Sequence, residues 1–350
     1  MHLHALATAA PAQTFTAAKC WEIVQNSPIR ERLSKRSLLT LQAILRRDHG
    51  IATRHFAVRD IDHVFDFTPD QLNAAFRREG PALAARALTL ALTKAGIDAR
   101  DLDALMICTC TGYLCPGLTS YVAEILGLKS DAFLQDIVGL GCGAAIPTLR
   151  AASNFLAAEP DGTVACIAIE ICSAAFYLDD DPGVLISACL FGDGAAASVW
   201  RSVPGPDDLR CFDFDTLHLP AERDKLRFEQ RNGKLRNLLD RSVPALAASA
   251  VAKLWEKRGP RPVSRVITHT GGRDVLDALE PVVAPFSLVA SRTVLRDFGN
   301  MSSPSVLFAL EETLRTQLPG DDGDFWLVSF GAGFSAHSCR IGASNHAHSS

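Results

Sequence analysis

Phe191-Gly192-Asp193-Gly194-Ala195-Ala196-Ala197-Ser198-Val199-Trp200-Arg201 can be laid on Phe330-Gly331-Ala332-Gly333-Phe334-Ser335-Ala336-His337-Ser338-Cys339-Arg340, with Phe, two Gly, one Ala and the final Arg in common. Each segment reads as a Gly-rich turn opening an apolar strand. Two more pairs follow in the same order. A helix and strand lead to Thr111-Gly112, and again to Thr270-Gly271, at an offset of 159 residues. Gly141-Cys142 and Gly299-Asn300, 158 apart, each precede an apolar helical pattern. A repeat in fixed order predicts a duplicated architecture. The offset of the quoted pair is only 139, so the first half carries about 20 extra residues, expected within 176–186.

The intervening pattern predicts the fold class. Residues 82–95 read as a helix ended by Gly96, and 102–108 as a strand. Residues 163–171, 195–200 and 263–268 are further strands, and 245–257 another helix. Short apolar runs alternating with helical periodicity indicate α/β with a buried sheet. The expected division is an N-terminal half, residues 1–205, and a C-terminal half, residues 206–350. Equivalent loops of the two halves would converge at the pseudo-twofold axis, which sets Cys110 opposite His269 and Cys142 opposite Asn300.

Composition narrows the function. Of 350 residues, 48% are hydrophobic and 21% charged, enough apolar material for a large core and against disorder. A net charge of -4, dispersed Lys and Arg, and 7% aromatics give no footprint for nucleic acid. No stretch approaches the roughly 20 apolar residues of a membrane span. The first residues lack a Lys/Arg-led signal segment, so a cytoplasmic location is expected. Ten cysteines are spread through apolar runs, which suits buried thiols in a reducing compartment better than a disulfide scaffold. Cys108, Cys110 and Cys115 lack the paired spacing of a zinc site, and no metal is expected.

Three residues stand in chemically useful contexts. Cys142 follows a strand-like segment and opens a small-residue helix, where unpaired N–H groups and the positive dipole end favour a thiolate. His269 ends a strand before Gly271-Gly272. Asn300, between Gly299 and two serines, could cap a helix or offer an amide N–H to an oxyanion.

In this order, Gly141-Cys142, Leu190-Phe191-Gly192-Asp193-Gly194-Ala195-Ala196, His269-Thr270-Gly271-Gly272, Gly299-Asn300-Met301-Ser302-Ser303 and Ser329-Phe330-Gly331-Ala332-Gly333 resemble the type III polyketide synthases of the chalcone and stilbene synthase superfamily. The resemblance runs from about residue 3 to residue 341, and is closer to the bacterial branch. It implies a thiolase-like fold, with two pseudo-duplicated halves in αβαβα layers. It further implies Cys142 as nucleophile, His269 as its ion-pair partner and Asn300 as co-donor. Phe191 matches an aromatic gate between a CoA tunnel and the cavity. Phe228 stands for a second gate, Cys172 and Ala175 fall in a cavity-lining segment, and Ser302 and Gly331 fall in motifs at the substrate site. Cys115 matches a residue that each subunit inserts into its partner's cavity, which implies a homodimer. The substrates implied are an acyl-CoA starter and malonyl-CoA, with no cofactor beyond the CoA thioesters. Small residues at 115, 172 and 175 predict room for a medium or long aliphatic starter, giving alkylpyrones or alkylresorcinols. Thr270 and Ala332 replace family prolines, and the basic residues that hold CoA phosphates do not match cleanly around Arg46 and Arg47. Two rivals are a ketosynthase III-like enzyme making one condensation from acyl carrier protein, and a non-catalytic thiolase-fold binding protein.

Overall fold

The computed structural model describes all residues except 48, 208, 317–322 and 344–350. Nine strands form one sheet: β1 (His2–Ala9), β2 (Ala104–Cys108), β3 (Phe133–Ile137), β4 (Val164–Glu170), β5 (Gly194–Arg201), β6 (Leu209–His218), β7 (Val263–Thr268), β8 (Asp324–Gly331) and β9 (Ser335–Ala343). Their order is β7-β8-β9-β6-β1-β5-β4-β2-β3. The two sides mirror each other. β1-β5-β4-β2 runs outward with two antiparallel pairings and then a parallel one, and β6-β9-β8-β7 repeats this pattern. The sides meet where β1 pairs with β6 at His2 and Arg210. The quoted repeat opens β5 in one half and β9 in the other. The surplus also falls where expected. A turn (Cys172–Ala175) and a helix (Pro182–Leu190) separate β4 from β5, whereas β8 reaches β9 through a tight turn.

Alternation along the strands builds the layers, since successive side chains leave opposite faces. Leu105 and Ile107 point into one core with Leu88 and Ala91 of the helix Pro69–Ala95. Ala104, Met106 and Cys108 point into a second core, shared with Leu149 of helix Ala145–Ala158 and Phe308 of helix Ser305–Arg315. Ile267 and Leu327 of the other half reach this same core, while Val266, Trp326 and Val328 face a third, under helix Val243–Lys257. The layering is therefore αβαβα, with helices Ala145–Ala158 and Ser305–Arg315 in the middle.

Helix Pro69–Ala95 starts thirteen residues earlier than the sequence pattern predicts and runs through Gly80-Pro81. Its Thr68–Gln71 capping box fixes the start. Gly80 lies against Leu118 and Ile171, so packing outweighs the local breaker signal. All ten cysteines are free thiols. Among the described residues, no helix is long and apolar enough to cross a membrane.

Candidate active site

The two central helices start at the same place from opposite halves. Cys142 lies in a tight 3-10 turn, Gly141–Gly143, that feeds helix Ala145–Ala158. Gly141 adopts φ +56°, a left-handed conformation that favours glycine. Asn300 and Ser302 precede helix Ser305–Arg315, and His269 follows β7. All four side chains are buried.

Ser302 joins them. Its hydroxyl lies 3.2 Å from Cys142 Sγ and 3.3 Å from Glu170 Oε1, in reach of donating its one hydrogen to either. Its N–H donates to Asn300 Oδ1 at 2.8 Å, which turns the amide's Nδ2 the other way. Its backbone lies close enough to His269 to favour the protonated ring. Ser302 adopts φ +61°, which a serine tolerates at a cost of about 1 kcal/mol. His269 Nδ1 has no hydrogen-bond partner among the described residues, and the ring meets Phe330 edge-on at 5.3 Å.

Burial works against the expected ion pair. Burial pushes the Cys142 thiol up to about 12. The Ser302 hydrogen bond works in the opposite direction, and the Glu170 charge adds to the rise. Burial also pulls His269 down to about 3. Burial thus favours the neutral form of each group and works against the pull of the helix start.

Glu170 was not legible as a site residue. It ends β4, fully buried, and among the described residues it has no ion-pair partner. Oε2 accepts N–H groups of Cys110 and Thr111 at 2.9 and 3.1 Å, and Oε1 accepts Ser303 Oγ at 2.7 Å. The available signal was a carboxylate closing an otherwise apolar strand. Cys110 Sγ lies 3.3 Å from Ser302 Oγ, so the thiol opposite His269 belongs to the same network.

The lining of the cavity agrees in part with the sequence reading. Phe191 packs on Cys142 and Cys172. Its segment is knitted to Asn300: Gly192 N–H donates to the Asn300 carbonyl and Asn300 N–H to the Leu190 carbonyl, both at 2.9 Å. Asp193 anchors this segment, accepting N–H groups of Ala57 at 2.6 Å and Ser173 at 2.8 Å. Cys172, Ala175, Phe191 and Phe228 line one cavity with Phe176 and Tyr177. Gly331 is a point of backbone contact. A Cβ there would stand 2.5 Å from Gly143 N and Leu140 O, so the glycine lets β8 pack on the Cys142 turn. Cys115 is exposed and stands apart from the residues that line this cavity.

A wide mouth of about 480 Å³ opens on the far side of helix Pro182–Leu190, lined by Arg47, His49, Arg241, Arg273 and the Gly271-Gly272 turn. Ile186 and Leu190 face this mouth, while Ser187 and Phe191 face the cavity. Phe191 thus ends the helix that divides the two. Of the Arg46-Arg47 pair, Arg47 alone lines the mouth.

A thiol in the turn before a central helix, linked through Ser302 to an imidazole and an amide of the duplicated half, fits a thiolase-fold condensing enzyme. The family comparisons narrow the class. Residues 9–204 match the family model for FAE1/type III polyketide synthase-like proteins, and residues 225–339 that for the chalcone and stilbene synthase C-terminal domain. The chain belongs to the type III polyketide synthases, acyltransferases that catalyse decarboxylative Claisen condensation. It is 32% identical to a 1,3,6,8-tetrahydroxynaphthalene synthase of Streptomyces peucetius, over 84% of this chain and 82% of that one. It is also 32% identical to a 3,5-dihydroxyphenylacetyl-CoA synthase of Streptomyces toyocaensis, over 69% of this chain and 66% of that one. The crystal structure of the Streptomyces coelicolor tetrahydroxynaphthalene synthase superposes with a TM-score of 0.83 at 26% identity, covering 98% and 99% of the two chains. An enzyme from the brown alga Ectocarpus siliculosus shares the fold, with a TM-score of 0.88 at 23% identity over 98% of each chain.

Proposed function

We propose that Cys142, His269 and Asn300 carry an iterative condensation of malonyl-CoA onto an acyl group. The observation that carries this reading is their convergence on Ser302. Cys142 passes its proton to His269 as it attacks the acyl-CoA carbonyl, and the departing CoA thiolate takes that proton back. Malonyl-CoA then loses CO₂, leaving an enolate whose oxygen is held by His269 Nε2–H and Asn300 Nδ2. A donor so placed is typically worth ~3 kcal/mol in the barrier. The enolate carbon attacks the Cys142 thioester, the thiolate leaves, and the acyl chain is two carbons longer. The chemistry as written draws on no metal or redox cofactor.

Arg47, Arg241 and Arg273, which line the wide mouth together with Asp240 and Asp274, suit the phosphates of CoA, and Phe191 lines the inner cavity across the helix. The division at residue 205 separates the half that carries Cys142 from the half that carries His269 and Asn300. A homodimer would cover the apolar groups exposed along edge strand β3 and near Cys115: Tyr113, Ile125, Phe133, Leu134 and Val138. Free thiols throughout are consistent with the cytoplasm.

The starter reading changes with the walls. Phe176, Tyr177 and Phe228 narrow the cavity beside small Cys172 and Ala175. A compact starter and a hydroxylated aromatic product suit such a cavity best. An alkylpyrone or alkylresorcinol is the second reading, carried by Cys172 and Ala175. Purified enzyme given labelled malonyl-CoA with a graded acyl-CoA panel tests the proposal. The expected result is products of several extensions, best with short starters. A single extension seen only with loaded acyl carrier protein would favour the ketosynthase III-like rival.

A further inference from the structure

The polar atoms in the cavity behind Phe191 are mostly committed to the protein. Thr111 Oγ1 donates to Glu170 Oε2 at 2.8 Å and accepts Ile171 N–H at 2.9 Å. Ser187 Oγ donates to the Gly183 carbonyl at 2.9 Å within its own helix. Asn237 stands apart. It lines the same cavity, and its Oδ1 is buried with no hydrogen-bond partner among the described residues. An unpaired buried acceptor is a cost that the fold itself does not offset.

The position is held rigidly. A two-stranded ribbon, Leu226–Arg231 with Lys234–Leu239, sets Asn237 directly opposite Phe228, so both side chains leave the same face. Its neighbour Arg236, also buried, donates to Asp179 at 2.8 Å and Glu229 at 2.9 Å, and pairs with Asp181 at 3.3 Å. Asp179 and Asp181 lie between the Cys172 turn and helix Pro182–Leu190. Arg236 therefore ties the ribbon to the opposite wall.

We propose that Asn237 is a specificity-determining residue whose Oδ1 accepts a hydrogen bond from a hydroxyl of the bound acyl chain. The donor is an enolic hydroxyl of the growing poly-β-ketone or a hydroxyl brought in on the starter. This rests on the synthase reading above. An acceptor at one fixed depth favours chains that present a hydroxyl there, and so biases which chain length is retained for further extension. An apolar residue in its place would release shorter lactones instead.

The test compares wild type, Asn237→Leu and Asn237→Asp as full-length enzymes. Each receives malonyl-CoA with phenylpropionyl-CoA or with hydroxyphenylpropionyl-CoA, a pair differing in one hydroxyl. Single-turnover CoA release reads loading of Cys142, and chromatography reads the ratio of the longest to the shorter products. The Leu variant is expected to lower that ratio roughly fivefold, the worth of one hydrogen bond, and by more than it lowers loading. The Asp variant, which keeps an acceptor, holds the wild-type ratio. A drop with both starters assigns the donor to the growing chain; a drop with the hydroxylated starter alone assigns it to the starter. An unchanged ratio in the Leu variant overturns the proposal. So does an equal loss of loading and of every product in both variants. If wild type makes no polyketide from either starter, the synthase reading fails and this proposal fails with it.

Discussion

Ser302 Oγ stands 3.2 Å from Cys142 Sγ, in reach of donating to it, while the same hydroxyl reaches Glu170 at 3.3 Å. The thiol is thus tuned by a donor that favours the thiolate and by a carboxylate charge that opposes it. Ser302→Ala should raise the thiol pKa further and slow alkylation by iodoacetamide at pH 8 by roughly fivefold. Glu170→Gln removes the opposing charge and should speed it. The Gln carbonyl can still accept the Cys110 and Thr111 N–H groups, so the fold survives. Rates that move in the same direction in both variants would contradict this account of the pocket.

Gly331 is required by contact and not by its own backbone angle. In Gly331→Ala the new Cβ meets backbone atoms of Gly143 and Leu140, which cannot swing aside as a side chain would. The expected outcome is a displaced Cys142 turn and at least a ~100-fold loss of turnover, comparable to misplacing a reacting group by about 1 Å. Gly333→Ala is the control. Gly333 has φ +110° but open space around it, so the cost is about 1–3 kcal/mol of backbone strain, read as a lower Tm.

The site residues and the architecture were legible to different degrees. Cys142, His269 and Asn300 could be read because each occupies a short Gly-rich turn at a fixed place in a repeat. The central sheet could be read because its strands are apolar on both faces. Edge strand β3 showed only as the strand-like segment before Cys142, since Phe133, Leu134 and Asp136 are exposed and carry no burial pattern. Glu170 meets Ser302, 132 residues along the chain, and no local pattern announces it. The charge balance at Cys142 was legible only in part: a helix start is visible in sequence, but the depth of burial that works against it is not.

Arg236 should matter to stability as well as to the cavity. Arg236→Met leaves Asp179, Asp181 and Glu229 facing one another with their shared cation gone. These carboxylates are partly exposed, so the loss should be about 2 kcal/mol, below that of a fully buried pair. Arg236→Lys should recover part of it, because one ammonium cannot replace a guanidinium fork. Urea unfolding reads both; unchanged midpoints would show that the clamp carries no stability.

Acid should destabilise the fold above the range where carboxylates ordinarily titrate. Burial lowers His269 to about 3 and His337 to about 4, from an ordinary 6.5. Below pH 6.5 the unfolded chain takes up protons at both rings while the folded chain does not, so stability falls as pH falls. Burial raises Asp193 to about 7, and this group works in the opposite direction over the same window. Two histidines against one carboxyl leave a net loss of roughly 1.4 kcal/mol per pH unit between pH 6.5 and 5. Urea midpoints measured across that window, flat or rising on acidification, would contradict the assignment.

The central claim is that the growing chain is carried on Cys142. Enzyme mixed with a short acyl-CoA, quenched in acid, digested and mapped by mass spectrometry tests it most directly. The account predicts one acyl thioester on the peptide containing Cys142, absent from Cys142→Ala and discharged or lengthened by two carbons when malonyl-CoA is added. A thioester on Cys110 or Cys172 in place of Cys142, or none on any cysteine, would contradict it.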